Sequence, residues 1–320
     1  MVQMYKAYDK AKQAIKQFIP SWLFRRAVNT FHLLETVVAS LIYGFPARKM
    51  KFVGITGTNG KTTSSIMLSE ILRTAGYIVG LNSTAIVMVG AERRENEFGL
   101  TTANPFQMQK LFREMNKAGV EWVVMEVASH ALVQHRTWGI KFETTIMTNL
   151  THEHLDYHGT MEEYAKAKGK LFSNYPKLSV LNRDDKYYEE FSKYGAVQTL
   201  GYGTHESADC KIIGAKLGMR GTKLKLKLDE YNLDIKLNIP GRFNAYNALA
   251  AASAAYGMDI SLDHIKRGLE SVTKVPGRME LIEEGQEFVV VVDFAHTPDA
   301  MENILSTLRT TLKGRLITIT

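Results

Sequence analysis

Gly57-Thr58-Asn59-Gly60-Lys61-Thr62-Thr63 follows an apolar run, Phe52 to Ile55, and precedes a helical pattern with Leu68, Ile71, Leu72 and Ala75 on one face. A strand, a glycine loop, Lys-Thr and a helix together can hold a triphosphate. Glycines let backbone N–H groups close around phosphate oxygens, and the helix N-terminus adds partial positive charge. Lys61 reaches the outer phosphates and the Thr62 hydroxyl can bind Mg2+. The spacing is not that of the common P-loop. Counting back from Gly60, the first glycine of G-x-x-x-x-G-K-[ST] falls at Ile55, whereas here the glycines are Gly57 and Gly60. The loop is therefore a nucleotide loop of a distinct type.

Four other positions invite chemistry. Glu126 ends the apolar run Val120–Val127. In open α/β sheets ligands gather at carboxyl strand ends, where a carboxylate can hold Mg2+ or orient its water. An exposed strand-end acid is the plainer reading. His152, His154 and His158 follow a second buried run, Thr144–Leu150. Zinc is disfavoured, because Cys210 is the one cysteine and no H-E-x-x-H pattern occurs. Polar loop residues, or one histidine on nucleotide-bound Mg2+, are both open. Asp293 ends the run Phe288–Val292, with His296 just after. It suits a ribose hydroxyl or a helix cap. Lys168 shares a helical pattern with Tyr164, Leu171 and Phe172, and by type alone it is a solvated surface charge.

The elements that must position these residues alternate strand and helix from residue 51, the signature of a mostly parallel sheet. An extended segment is expected at Tyr77–Leu81 and a polar-tipped hairpin at 84–98. Helices are expected from Pro105, with Met108, Leu111, Phe112 and Met115 on one face, and at Met161–Phe172. A short strand, Ser179–Leu181, runs into Asn182–Asp185. Leu224, Leu226 and Leu228, then Leu233, Ile235, Leu237 and Ile239, alternate with polar residues, which predicts a half-exposed antiparallel hairpin. Residues 243–256 form an alanine-rich helix and Ser261 caps another. Beyond Val275-Pro276-Gly277-Arg278 come a buried strand, Phe288–Val292, a helix, Pro298–Leu312, and a strand, Leu316–Ile319.

At 320 residues, 45% of them apolar, the chain supports two or three ordinary domains. A single cysteine fits a reducing, cytoplasmic setting. The net charge of +7 sits wholly in residues 1–51, which hold nine Lys/Arg and two Asp/Glu. The remainder is balanced, so nucleic acid is not an expected partner. No signal peptide is visible, and Phe31–Phe45 is too short and too interrupted by His32 and Glu35 for a membrane span. Residues 4–18 place Met4, Tyr8, Ala11, Ile15 and Phe18 on one stripe with Lys6, Lys10, Lys12 and Lys16 mostly off it, and Trp22–Tyr43 reads as a second helix. Such an arm suits an anionic membrane surface. A helical pair packed on the next domain with solvated lysines is the preferred reading.

Taken together, these segments resemble the Mur ligases, the ATP-dependent amide-forming enzymes of peptidoglycan assembly, and most of all their tripeptide-forming, MurE-type branch. The resemblance covers about residues 50–320. It rests on Gly54–Thr63, Leu100-Thr101-Thr102, Met125–Leu132, Val133–Arg136, Asn149–Gly159, Tyr164–Lys168, Phe243–Asn247, Pro276–Glu280 and Val292–Asp299. It implies an α/β fold: a P-loop-type, mostly parallel central sheet with an antiparallel hairpin subregion, then the start of a Rossmann-like C-terminal domain. The expected divisions are a basic helical arm at 1–50 in place of the usual UDP-binding domain, a central ATPase domain at 51–274, and an incomplete ligase domain at 275–320.

The resemblance also implies roles. Gly57, Thr58, Asn59, Gly60, Lys61, Thr62 and Thr63 would hold ATP, with Asn244, Asn247, Arg278 and Asp293. Thr62, Glu126, His154 and a carbamylated Lys168 would hold Mg2+. Thr101, Thr102, Ser129, Gln134 and Arg136 would hold the UDP-N-acetylmuramoyl-dipeptide. Lys61, Glu126, His154, Lys168 and Arg278 would serve catalysis, through an acyl phosphate that the incoming diaminopimelate or lysine then displaces. A monomer is expected. A ligase on a folate or cyanophycin carboxylate and a non-catalytic nucleotide-binding remnant are the alternatives. Three departures stand out: Ala128-Ser129 replaces the family's Ser-Ser, the usual N-terminal domain is missing, and the chain stops before the amino-acid-recognition motif.

Overall fold

The computed structural model describes residues 21–96, 101–312 and 314–319. The expected helix at 4–18 and the end of the 84–98 hairpin lie outside them. Helix α1 (Ser21–Tyr43) ends in left-handed Phe45 (φ 51°) and a 3-10 turn at Pro46–Lys49, which delivers the chain to β1 (Lys51–Thr56). Alternation follows: α2 (Lys61–Thr74), β2 (Val79–Asn82), a hairpin of β3 (Ile86–Val89) and β4 (Glu92–Glu95), α3 (Pro105–Lys117), β5 (Trp122–Glu126), α4 (Ser129–Val133), β6 (Phe142–Met147), α5 (Leu155–His158), α6 (Met161–Gly169) and β7 (Leu178–Asn182).

Then come α7 (Tyr188–Phe191), β8 (Gln198–Gly203), β9 (Cys210–Gly218), β10 (Gly221–Leu228), β11 (Tyr231–Leu237), α8 (Arg242–Gly257) and α9 (Leu262–Ser271). The sheet order is β11-β10-β9-β8-β7-β6-β1-β5-β2-β3-β4, eleven strands among the described residues. The expected antiparallel hairpin is present as β10/β11. It continues the central sheet through β9, which pairs with β8 in parallel and with β10 antiparallel.

β1 lies in parallel between β5 and β6, so its carboxyl end opens between theirs. One face of the sheet packs on α2, α8 and α9, and the other on α3 and α6. α8 is buried on most sides from Ala245 to Ala255, and its alanines permit close approach, while Arg242, Phe243 and Tyr246 at its start reach toward solvent or the cavity described below. α9 crosses α2 so closely that a Cβ on Gly268 would meet the Ile71 Cα at 2.4 Å. α3 starts in a capping box, with Asn104 accepting from the Gln107 N–H and Pro105 in the first turn. Ser261 caps α9 as expected.

α1 packs on α3 with Thr36, Ala39 and Ser40 buried, while Phe31, Leu34, Val38, Leu41 and Ile42 face outward. No helix among the described residues is long and apolar enough to cross a membrane.

The C-terminal segment departs from expectation. The strand expected at Phe288–Val292 is reduced to β13 (Val290–Val292), which among the described residues pairs only with β12 (Glu280–Ile282). Phe288 is 70% and Val289 52% exposed, so the run is not buried. Residues 315–319 form no strand, and Ile317 and Ile319 are 74% and 94% exposed. An apolar run becomes a buried strand only where neighbouring strands and a covering layer exist, and here the covering element is α10 (Pro298–Thr311) alone.

Candidate active site

The phosphate loop is shaped by two glycines with positive φ, Gly57 (151°) and Gly60 (87°). The segment after β6 holds it in place. Thr58 N–H donates to the Asn149 carbonyl (2.9 Å) and Asn59 N–H to Asn149 Oδ1 (2.8 Å). Thr148 Oγ1 donates to the Asn59 carbonyl (2.7 Å), and Thr58 Oγ1 accepts from Thr151 N–H (3.0 Å). The first-turn N–H groups of α2, at Lys61, Thr62 and Thr63, have no preceding helical carbonyl to bond. They form the anion-seeking end of the helix.

Two lysines meet behind the loop. Lys61 Nζ donates to the carbonyls of Gly57 (2.8 Å) and Thr58 (2.7 Å), and Lys168 Nζ donates to the same Gly57 carbonyl (2.8 Å). Lys168 is 1% exposed and stands 4.5 Å over the Tyr164 ring. Burial first, and the Lys61 charge second, hold its pKa well below the ordinary lysine value. The plain expectation of a solvated surface lysine is therefore wrong. β1 and α6 bring this side chain inward, where desolvation favours the neutral amine. Burial also lowers Lys61, against the charges of Glu153 and Glu126.

Beside the lysines lies an aromatic cluster. His154, in left-handed backbone (φ 55°), packs its ring 4.8 Å from His130, and His158 packs 5.1 Å from Tyr164. Burial pushes His130 and His158 down to about 4, helped at His130 by the charges of His154 and His158 and at His158 by those of Lys168 and His154. Glu153 Oε2 lies 3.5 Å from His154 Nε2, and its Oε1 lies 3.7 Å from His296 Nε2 of the C-terminal segment. His152 is exposed and outside these contacts. Among the described residues no three His, Cys, Asp or Glu side chains converge on a metal position.

Glu126 is fully buried at the carboxyl end of β5. Its Oε1 accepts from the Thr84 N–H (2.8 Å), and its Oε2 lies 3.0 Å from Thr84 Oγ1. The residues expected to hold the muramoyl-peptide adjoin it. Thr102 Oγ1 donates to the Glu126 carbonyl and accepts from Ala128 N–H, while Arg136 donates to the Thr102 carbonyl (2.8 Å). Thr84 Oγ1 and Thr101 Oγ1 are 3.0 Å apart. Ser129 is buried with its Oγ 2.9 Å from His158 Nε2. Gln134 donates to the Tyr157 hydroxyl, while its buried Oε1 has no partner among the described residues.

On the other side of the loop opens a cavity of about 600 Å3, lined by Asn59, Gly60, Thr62, Thr63, Asn247, Arg278 and Asp293, with Phe243, Tyr246 and α10 closing it. That volume suits a nucleotide. Asn247 lines the cavity but Asn244 does not. Asn244 stands behind, accepting from Asn247 Nδ2 (3.0 Å) and donating to the Pro240 carbonyl. Asp293 is pinned by the N–H groups of Met279 (2.7 Å) and Ala295 (2.8 Å). Arg278 stacks on Phe294 at 4.9 Å.

The residues fit the groups expected of them. A buried lysine with no carboxylate partner in contact suits conversion to an anionic carbamate, and the buried Thr62 hydroxyl and Glu126 carboxylate are oxygen donors of the kind Mg2+ takes. Sequence reasoning missed Thr84, His130, Glu153 and Tyr246. Glu153 adjoins His154 in sequence and was findable. His130 and Tyr246 lie within Met125–Leu132 and Phe243–Asn247, segments that carry the resemblance, and only Thr84 is placed by non-local packing that leaves no local signal.

The family model of the Mur ligase middle domain matches residues 55–255, and that of the Mur ligase glutamate ligase domain matches 277–320. The chain is 42% identical over 285 residues to the UDP-N-acetylmuramoyl-L-alanyl-D-glutamate--2,6-diaminopimelate ligase 1 of Clostridium acetobutylicum, covering 88% of this chain and 58% of that one. It is 37% identical over 317 residues to the corresponding ligase of Bacillus velezensis, covering 97% and 64%. A solved structure of a UDP-N-acetylmuramoyl-L-alanyl-D-glutamate--2,6-diaminopimelate ligase superposes with a TM-score of 0.71 at 30% identity, over 82% of this chain and 54% of that one. A Mycobacterium tuberculosis folylpolyglutamate synthase complexed with ADP and AMPPCP shares the fold, with a TM-score of 0.73 at 19% identity over 87% and 70% of the two chains. The chain thus spans about three fifths of the length of the curated relatives it matches.

Proposed function

The chain belongs to the Mur ligase family, and we propose that it is an ATP-dependent ligase of the tripeptide-forming type, joining an amino acid to UDP-N-acetylmuramoyl-L-alanyl-D-glutamate in the cytoplasm. The relatives' names favour 2,6-diaminopimelate over lysine as that amino acid. The observation that carries the reading is the convergence of Lys61 and Lys168 on the Gly57 carbonyl beside the phosphate loop. A plain nucleotide-binding loop needs the first lysine but has no use for a second, buried one. The chain acts as a monomer, divided near 275 between an ATPase domain and a ligase domain, with 1–50 as an arm.

ATP occupies the cavity between the phosphate loop and α10, its phosphates against the first turn of α2 and its ribose toward Asp293. Asn247 borders the nucleotide and Asn244 orients Asn247. Lys61 leaves the Gly57 and Thr58 carbonyls for the outer phosphates, and Arg278 adds charge from the C-terminal side. Thr62, Glu126, His154 and the Lys168 carbamate, formed when the neutral amine adds CO2 and loses a proton, would hold Mg2+. The ion would supply charge neutralisation for phosphoryl transfer when bound.

Thr101, Thr102, Ser129, Gln134 and Arg136 border the space for the muramoyl-peptide, whose carboxylate attacks the γ-phosphate to give an acyl phosphate and ADP. The amino group of the amino acid then displaces inorganic phosphate. Incubating the protein with UDP-muramoyl-dipeptide, ATP, Mg2+ and each candidate amino acid, and measuring phosphate, tests the proposal. Release that requires both substrates supports it, and no substrate-dependent release with any amino acid refutes it.

A further inference from the structure

Thr84 lies in the turn between β2 and β3, outside every segment with a recognisable motif. It makes two contacts to one buried carboxylate: its N–H donates to Glu126 Oε1 at 2.8 Å, and its Oγ1 sits 3.0 Å from Oε2. The same Oγ1 is 3.0 Å from Thr101 Oγ1. A threonine hydroxyl has one proton, and an ionised carboxylate can only accept. The Thr84 hydroxyl is placed to donate to both Glu126 Oε2 and Thr101 Oγ1, so its one proton serves only one of them at a time.

The turn that carries Thr84 is itself fixed. Ser83 Oγ donates to the Ile86 carbonyl (2.8 Å) and accepts from its N–H (3.0 Å), and Asn96 Nδ2 donates to the Ser83 carbonyl (2.6 Å). Thr102, next to Thr101, donates to the Glu126 main-chain carbonyl. The carboxylate is held on one side by a rigid turn and linked through one hydroxyl to a residue of the peptide side.

We infer that Thr84 is a positioning residue. It sets the orientation of the Glu126 carboxylate and makes that orientation depend on Thr101, so that engagement of the muramoyl-peptide is felt at the cation position. The inference rests on the ligase reading above. It adds a device by which the two halves of the site report on each other before any bond forms.

The test uses Thr84→Val, which keeps the volume and the N–H but removes the hydroxyl, and Thr84→Ser, which keeps the hydroxyl. Mn2+ serves as the cation probe, its binding followed by electron paramagnetic resonance in the presence of a non-hydrolysable ATP analogue, with and without UDP-muramoyl-dipeptide. Thermal melts check the fold of each variant. The wild type should bind Mn2+ more tightly when the dipeptide substrate is present. Thr84→Val should weaken Mn2+ binding roughly tenfold, in the range of lost outer-shell contacts, and abolish the dipeptide effect, and Thr84→Ser should restore both. A Thr84→Val protein that matches the wild type in affinity and dipeptide response overturns the inference and leaves the ligase reading standing. A wild type that binds neither Mn2+ nor the analogue overturns the nucleotide reading and this inference with it.

Discussion

The Nζ atoms of Lys61 and Lys168 each stand 2.8 Å from one oxygen, the Gly57 carbonyl. Two ammonium groups cannot share one neutral acceptor in a buried site without strong repulsion. The more deeply buried of the two is Lys168, and it gives up its proton first. A neutral amine at that position is a nucleophile for CO2, and the carbamate proposed above would turn the repulsion into attraction toward Lys61 and a metal ion.

Replacing Lys168 separates stability from chemistry. Lys168→Met removes a poorly solvated amine from the core while keeping an unbranched apolar stem, so the melting temperature should hold or rise. Activity should fall by roughly two orders of magnitude or more, the scale of losing a transition-state charge partner. Lys168→Ala should lose activity alike, and short-chain carboxylates should restore part of it by supplying the missing oxygens. Steady-state kinetics with added acetate or formate, beside thermal melts, reads both. Full activity in Lys168→Ala would refute the carbamate assignment.

Gly60 is the position where the loop tolerates least. Its φ of 87° suits glycine, and a Cβ would meet Asn247 Oδ1 at 2.2 Å. Gly60→Ala should cost about 1–3 kcal/mol in urea unfolding. It should also weaken nucleotide binding, because Asn247 must turn away from the cavity. Binding equal to wild type would show that Asn247 has no part in holding the nucleotide.

Ala128 is the N-cap of α4, in extended backbone with no side-chain hydrogen bond to the helix. Ala128→Ser supplies one and should add about 1 kcal/mol, or roughly 2–4 °C in melting temperature. It also restores the hydroxyl that the Ser-Ser pattern of related ligases carries, so the KM for the muramoyl-dipeptide should fall. A lower KM without a change in melting temperature would assign that hydroxyl to substrate alone.

The histidine cluster makes the metal-free protein sensitive to mild acid. His130 and His158 are pushed from 6.5 to about 4 in the folded chain. A group depressed on folding adds stability that is fully present above its unfolded pKa and is lost as pH falls toward the folded value. The contribution of these two histidines to the unfolding free energy without Mg2+ should thus be flat above about pH 6.5 and decline from there toward pH 4, beneath a separate rise at alkaline pH from the depressed Lys61 and Lys168. His158→Gln should flatten that decline. An unchanged slope in the variant would remove His158 from the account.

Much of the scaffold is readable in the chain because periodicity and turn chemistry are local. The β1–loop–α2 unit, the capped α3, the β10/β11 hairpin and the alanine-rich α8 all follow from spacing. β8 and β9 do not, since Gly201, Gly203 and Gly214 interrupt runs that only their sheet neighbours make into strands. The expected strands at 288–292 and 316–319 err the other way, because apolar composition cannot say whether a partner strand will lie alongside. The site divides likewise. Lys61, Thr62 and Glu126 sit where a motif or a strand end predicts them. Lys168 and Thr84 acquire their surroundings only when α6 and the β2–β3 turn fold against residues far away in sequence.

The acyl phosphate is the step that sets a ligase of this kind apart from an ATPase, and isotope transfer reads it directly. With 18O in the reacting carboxylate of the UDP-muramoyl-dipeptide, each turnover should place one labelled oxygen in the released inorganic phosphate. The carboxylate oxygen bonds to the γ-phosphorus and leaves with it when the amine attacks. Phosphate carrying no label, with its fourth oxygen from water, would contradict the account.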